Sequence, residues 1–175
     1  MTKRDFIFTL LRSALWQQPL NHFVMSSWEY KEVMEDAEKQ CVLGLVIDCL
    51  RSNNVTLKKK CVIHMLKLQN SLEKKNKLIN DNLSELVNLL SGKGIRFAVV
   101  KGPSIGTLYP KPLLRGPGDI DFYVPAQDFQ SAVDAIEQIT RYARSIAVER
   151  TIGHTRLHRL ILVWRGMDLA VAEEL

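Results

Sequence analysis

Between Ile95 and Val124 the sequence reads IRFAVVKGPSIGTLYPKPLLRGPGDIDFYV, and the end of this stretch constrains the fold most. Asp119 and Asp121 flank the single apolar residue Ile120, and Phe122, Tyr123 and Val124 follow. β-Branched and aromatic residues in such a run predict a strand. Side chains alternate across a strand, so both carboxylates fall on one face, about 7 Å apart at roughly 3.3 Å per residue. Two acids held that way either share a proton or bind a hard cation through oxygen. Near neutral pH a divalent ion is the simpler partner. The alternative is a pair of solubilising charges on an exposed face, which the apolar flanks of this segment disfavour.

Upstream, Val99 and Val100 end a first apolar strand, and Lys101, Gly102, Pro103 and Ser104 form a turn. Gly102 has no Cβ, so its backbone can approach a ligand closely, and a helix beginning there would aim N–H groups at an anion. Lys101 is read as a phosphate contact, with a salt bridge to one of the aspartates as the competing role. Arg115 lies in a Pro- and Gly-rich loop, where a guanidinium pairs bidentately with either phosphate or carboxylate. Ser104 either donates to a phosphate oxygen or caps the helix that follows, and capping is its ordinary role.

On these residues the chain resembles the nucleotidyltransferase superfamily. That pattern is an apolar strand ending in glycine with a small polar residue, then a strand carrying an acid, an apolar residue and an acid. The resemblance is strongest to a bacterial branch of uncharacterised nucleotidyltransferases, in the Lys101-Gly102 turn, Tyr109-Pro110, Arg115 and Gly118-Asp119-Ile120-Asp121. It covers about thirty residues by motif and the rest of the chain by layout. It implies transfer of a nucleoside monophosphate from an NTP such as ATP to an acceptor hydroxyl, with Mg²⁺ or Mn²⁺ held by Asp119, Asp121 and a third acid from a later strand. Asp168 is the candidate for that third acid. Gly102 and Ser104 would then cradle phosphates, with Lys101 and Arg115 compensating their charge. The acceptor stays open among a small molecule, a protein and an RNA end. The branch often has a histidine two residues after the third acid where this chain has Ala170. The alternative is therefore a module that keeps the fold and binds a nucleotide or a protein partner. With Leu175 as its last residue, the sequence fits either a short member or a fragment.

Composition sets the outer limits. A chain of 175 residues with 46% hydrophobic residues can bury a sizeable core. Cys41, Cys49 and Cys61 show no Cys-x-x-Cys spacing, and an odd number argues against a disulfide framework, so a cytoplasmic, reducing setting is expected. The start, MTKRDFIFTLLRSALWQQPL, carries Asp5 and Arg12 within its apolar stretch and reads as an amphipathic helix, with no membrane association expected. Net charge is +5, suited to a nucleotide or nucleic-acid ligand. The clusters Lys58-Lys59-Lys60 and Lys74-Lys75 with Lys77 have no interleaved aromatics and read first as a solvated helix face. His154 and His158 show no metal spacing with the acids.

The expected fold class is α+β: a helical N-terminal region over 1–91, then a nucleotidyltransferase core over 92–175 with a small mixed sheet and flanking helices, packed as one unit. Helices are expected from Phe6 to Leu15, from Ser26 toward Glu38 and from Cys41 to Leu50, the last broken at Asn53-Asn54. A longer helix is expected from Leu57 to Leu90, interrupted near Lys75-Asn76 and ended by Gly92-Lys93-Gly94. Its apolar stripe packs within the chain or across a homodimer. A helix over Ala126–Tyr142 then precedes strands at 145–148, 160–164 and 168–172, the last two joined as a hairpin at Arg165-Gly166.

Overall fold

The computed structural model describes residues 3–53, 55–118, 120–137, 142–152 and 155–164, with side chains described up to residue 136. It comprises helices α1 (Lys3–Trp16), α2 (Ser27–Lys39), α3 (Leu43–Ser52), α4 (Lys59–Gly92), α5 (Pro103–Gly106) and α6 (Phe129–Glu137). The strands are β1 (Phe23–Val24), β2 (Val55–Thr56), β3 (Ala98–Val100), β4 (Ile120–Pro125), β5 (Tyr142–Ile152) and β6 (Thr155–Trp164). The chain is α+β, in two compact units. One contains residues 1–78 and 106–117, the other 79–105 and 118–175. The division falls inside α4, whereas the sequence placed a boundary at 91/92.

The first unit is built around α3. Leu43 through Leu50 are all buried, as happens when a helix is enclosed on every side. Leu10 and Ala14 of α1, Tyr30, Val33, Met34 and Ala37 of α2, and Cys61 and Met65 of α4 complete this core. Local chemistry sets the ends of the helices. Ser26 accepts from the Glu29 amide at 3.2 Å while the Glu29 carboxylate accepts from the Ser26 amide at 2.8 Å, a capping box that starts α2. After α2 the Val42 amide reaches the Ala37 carbonyl and the Cys41 amide reaches Glu38. This is a Schellman closure in which Cys41, at φ 57°, takes the left-handed position usually given to glycine. Asn53, at the end of α3, donates to the Cys49 carbonyl and to the Ser13 hydroxyl, and its own oxygen accepts from the Leu20 amide at 2.8 Å. β1 and β2 pair in parallel beside this junction.

α4 is a single helix of 34 residues. The interruption expected near Asn76 does not occur. Asn76 is buried, and its amide nitrogen lies 2.8 Å from the Leu113 carbonyl and 2.7 Å from that of Arg115. The same nitrogen lies 3.1 Å from the Leu72 carbonyl one turn back, so the side chain ties the loop to the helix while the helix continues unbroken. The helix ends where the sequence indicated. The Ile95 amide donates to Leu90, the Gly94 amide to Ser91, and Gly94 has φ 68°.

In the second unit Ile79, Leu86 and Leu90 of α4 pack with Ile120, Phe122 and Val124 of β4 and with Ala132, Ala135 and Ile136 of α6. The Phe97 and Phe122 rings meet edge to face at 5.6 Å. The sheet order is β3-β4-β6-β5. Within this sheet the three pairings among the described residues are antiparallel; the mixed sheet expected from the sequence included a strand at 168–172, which lies outside the described residues. β5 and β6 pair along their length, with Ile152 opposite Thr155. The helix foreseen from Ala126 opens as a 3₁₀ turn over Ala126–Asp128 and continues as α6 to Glu137, and Tyr142 is already strand. The strand at 168–172 and the hairpin at Arg165-Gly166 lie outside the described residues.

Candidate functional site

β4 is paired on both sides, to β3 and to β6. Its apolar set, Ile120, Phe122 and Val124, enters the core with α4 and α6. Alternation then sends Asp121 and Tyr123 to the opposite face. Asp121 is nevertheless only 4% exposed. A carboxylate so enclosed requires donors or a cation close by.

The antiparallel register places Val100 opposite Asp121. Lys101 and Gly102 follow directly, so the turn leaves β3 at the end of the sheet where β4 brings in its acid. Lys101 is exposed with φ 59°, and Gly102 is buried with φ 48°. Two successive left-handed residues reverse the chain sharply. Glycine carries that conformation without penalty, but lysine does not. The Lys101 carbonyl closes the turn by accepting the Ser104 amide at 3.1 Å and the Ser104 hydroxyl at 2.5 Å. α5 is a single turn that starts with proline, which has no N–H. Ser104 thus serves the turn as a donor to the Lys101 carbonyl.

Arg115 belongs to the first unit. Its guanidinium donates to the Gly116 carbonyl at 2.9 Å, and its own carbonyl is held by Asn76 at 2.7 Å. The segment around it is fixed at three further points. Gly44 of α3 lies directly under the Leu114 carbonyl, the Lys111 ammonium pairs with the buried Asp48 carboxylate, and Gly116 sits against the Cys41 carbonyl. Sequence reading did not single out Gly44, Asp48 or Lys111, and took Asn76 only for a break in the helix. A signal was present in Asp48, since a charge in the otherwise apolar run LGLVIDCL must find a counter-ion.

Asp119 and Asp168 lie outside the described residues. Among the described residues no three metal-ligating side chains come together. The described donor is a carboxylate oxygen, which suits a hard divalent cation. Asp121, Lys101, Gly102 and Ser104 all belong to the second unit, and the strand pairing brings Asp121 and the turn to one end of the sheet. No helix among the described residues is long and apolar enough to cross a membrane.

Comparison with known proteins gives one match. The profile of a family described as uncharacterised nucleotidyltransferase covers residues 26–148. Curated proteins and solved structures return no match.

Proposed function

We propose, for a chain that belongs to the uncharacterised nucleotidyltransferase family, that it transfers a nucleoside monophosphate from a nucleoside triphosphate to an acceptor hydroxyl. The supporting observation is the pairing of Val100 with Asp121, which puts a lysine-glycine turn and a buried carboxylate at the same end of one sheet. In such a transfer the acceptor oxygen bonds to the α-phosphorus and the bond to the bridging oxygen breaks. Pyrophosphate leaves with the electron pair, and the hydroxyl proton passes to water. Catalysis is then mostly positioning and charge compensation.

Asp121, with Asp119 and Asp168 beside it in the acid set, would hold Mg²⁺ or Mn²⁺. When bound, that ion neutralises charge on the phosphates. Lys101 supplies an ammonium to the β- and γ-phosphates from its exposed position. Gly102 leaves room for phosphate oxygens against the backbone of the turn. Ser104 keeps the turn closed and offers its hydroxyl oxygen at the same place.

Calorimetry with ATP, GTP, CTP and UTP in the presence of Mg²⁺ or Mn²⁺ tests this reading. Metal-dependent binding of a nucleotide that is lost in Asp121→Asn supports it. Absence of binding for all four nucleotides overturns it. Binding without transfer to any acceptor class would favour the module that only holds nucleotide, the reading to which Ala170 points.

A further inference from the structure

The charge of this chain is concentrated in one place. Residues 58–78 hold seven lysines and one acid, a net charge of +6 against +5 for the whole chain, so everything else sums to −1. All of this segment belongs to the first unit. At 3.6 residues per turn, Lys59, Lys60, Lys67, Lys74 and Lys77 fall within about 100° of arc over about 27 Å of helix. All five are exposed. The opposite side of α4 carries Cys61 and Met65 into the core.

Two observations set this face apart from an ordinary solvated one. Among the described residues, none of the five lysines is ion-paired with a carboxylate. Solvated helix faces usually alternate sign to gain i,i+4 pairs, and this one does not. The first turn of α4 also has no acid, so Lys59 and Lys60 stand at the positive end of the helix dipole with nothing on the helix to offset them. Repulsion of both kinds is relieved by a polyanion.

We infer that this face of α4 binds nucleic acid through its phosphates. Ile63 is exposed within this face and Leu66 and Leu78 at its margins, but they form no continuous apolar stripe along it, whereas the five lysines run its whole length. A helix that lies in a membrane interface has a continuous apolar face flanked by lysines, and here the side of α4 that carries Cys61 and Met65 is used by the core. No aromatic residue lies on the face, so contact is to the backbone and independent of base sequence. The inference needs neither nucleotide nor divalent ion and stands apart from the transfer reading.

The test is fluorescence anisotropy of a labelled RNA strand of about 16 nucleotides, titrated with the full chain without divalent ion from about 50 to 200 mM salt. Five phosphate contacts give a slope of log K against log salt of about −3.5, at roughly 0.7 per contact. The triple variant Lys60→Gln, Lys67→Gln, Lys74→Gln makes the slope shallower by about 2 and weakens low-salt binding roughly tenfold or more. Should that protein fail to fold by circular dichroism, Lys67→Gln with Lys74→Gln gives a change of about 1.4. Failure of the unaltered chain to bind overturns the inference. So does an unchanged slope in the variants, or binding to anionic phospholipid vesicles with none to the strand.

Discussion

The carbonyl oxygen of Leu114 lies against Gly44 so closely that a Cβ built on the glycine would sit 1.6 Å from it. At this point the helix and the loop approach each other backbone to backbone. Any side chain at position 44 therefore has to displace main chain, the least compliant part of the structure. Gly44→Ala is expected to lower unfolding stability by about 3 kcal/mol, at the upper end of ordinary overpacking. Urea unfolding measures this, and a loss within 0.5 kcal/mol or so would contradict the close approach.

Asn76 holds the same loop from α4. Its amide nitrogen donates to the carbonyls of Leu113 and Arg115, and Asn76→Ala removes both donations from a buried site. At about 1 kcal/mol for each bond the expected loss is about 2 kcal/mol. Asn76→Asp is expected to cost more, because a carboxylate has no proton to give and faces two carbonyl oxygens. Hydrogen exchange should show faster exchange at residues 112–116 in both variants. Equal stability of Asn76→Asp and the unaltered protein would refute the arrangement.

Asp121→Asn preserves the size of the side chain and removes its charge. Helical content and cooperative unfolding should be retained, while metal-dependent nucleotide binding falls at least about a hundredfold, the scale on which loss of a charged phosphate- or metal-binding group acts. Calorimetry reads the binding and circular dichroism reads the fold. Intact binding in this variant would remove Asp121 from the site.

Two carboxylates make the stability depend on pH. The hydrogen bond from Arg96, at 2.7 Å, holds Asp128 below its ordinary 3.8. The Ser26 hydroxyl and backbone hold Glu29 below 4.5. Each group has a lower pKa in the folded chain than in the unfolded one. Its contribution is therefore complete above the unfolded value and disappears as pH falls through the folded value. Denaturant midpoints of the unaltered protein and Asp128→Asn should differ at neutral pH and converge as the pH falls below the ordinary carboxylate value of 3.8. A difference that stays constant over that range would rule out this linkage.

Cys41 adopts a left-handed conformation at φ 57° while closing the α2 Schellman turn. For a residue with a Cβ this costs roughly 1–2 kcal/mol, part of which glycine gives back through the greater freedom of its unfolded chain. Cys41→Gly is expected to stabilise the protein by about 0.5–1 kcal/mol. Destabilisation would show that the thiol makes contacts that outweigh the strain.

Where the chemistry is local, the sequence already contained the answer. Ser26 with Glu29 marks the start of α2, Asn53 the end of α3 and Gly94 the end of α4, because each acts on backbone within five residues of itself. The lysine-glycine turn and the acid strand were legible as neighbours for a similar reason, since an antiparallel pair brings Val100 and Asp121 together. Asn76 was misread as a helix breaker. Its loop partners are 37 and 39 residues away, and no local pattern announces a carbonyl arriving from that distance. Gly44 was passed over because a glycine in an apolar helix looks like a weak point until the Leu114 backbone is seen against it. The long hairpin of β5 and β6 was reduced to shorter strands, since Arg144, Glu149, Arg150, Arg156 and Arg159 interrupt its apolar pattern. The ladder of paired residues runs through them regardless.

The register of β4 also determines where this chain can change length. An extra residue between Ile120 and Val124 would rotate the rest of the strand by one pleat. Aspartate and tyrosine positions would turn into the core, and phenylalanine and valine out of it. An extra residue beside Leu108, which is 80% exposed, alters the course of a surface turn and leaves every paired strand as it was. Insertions and deletions among related chains should therefore gather near position 108 and be absent from 120–124.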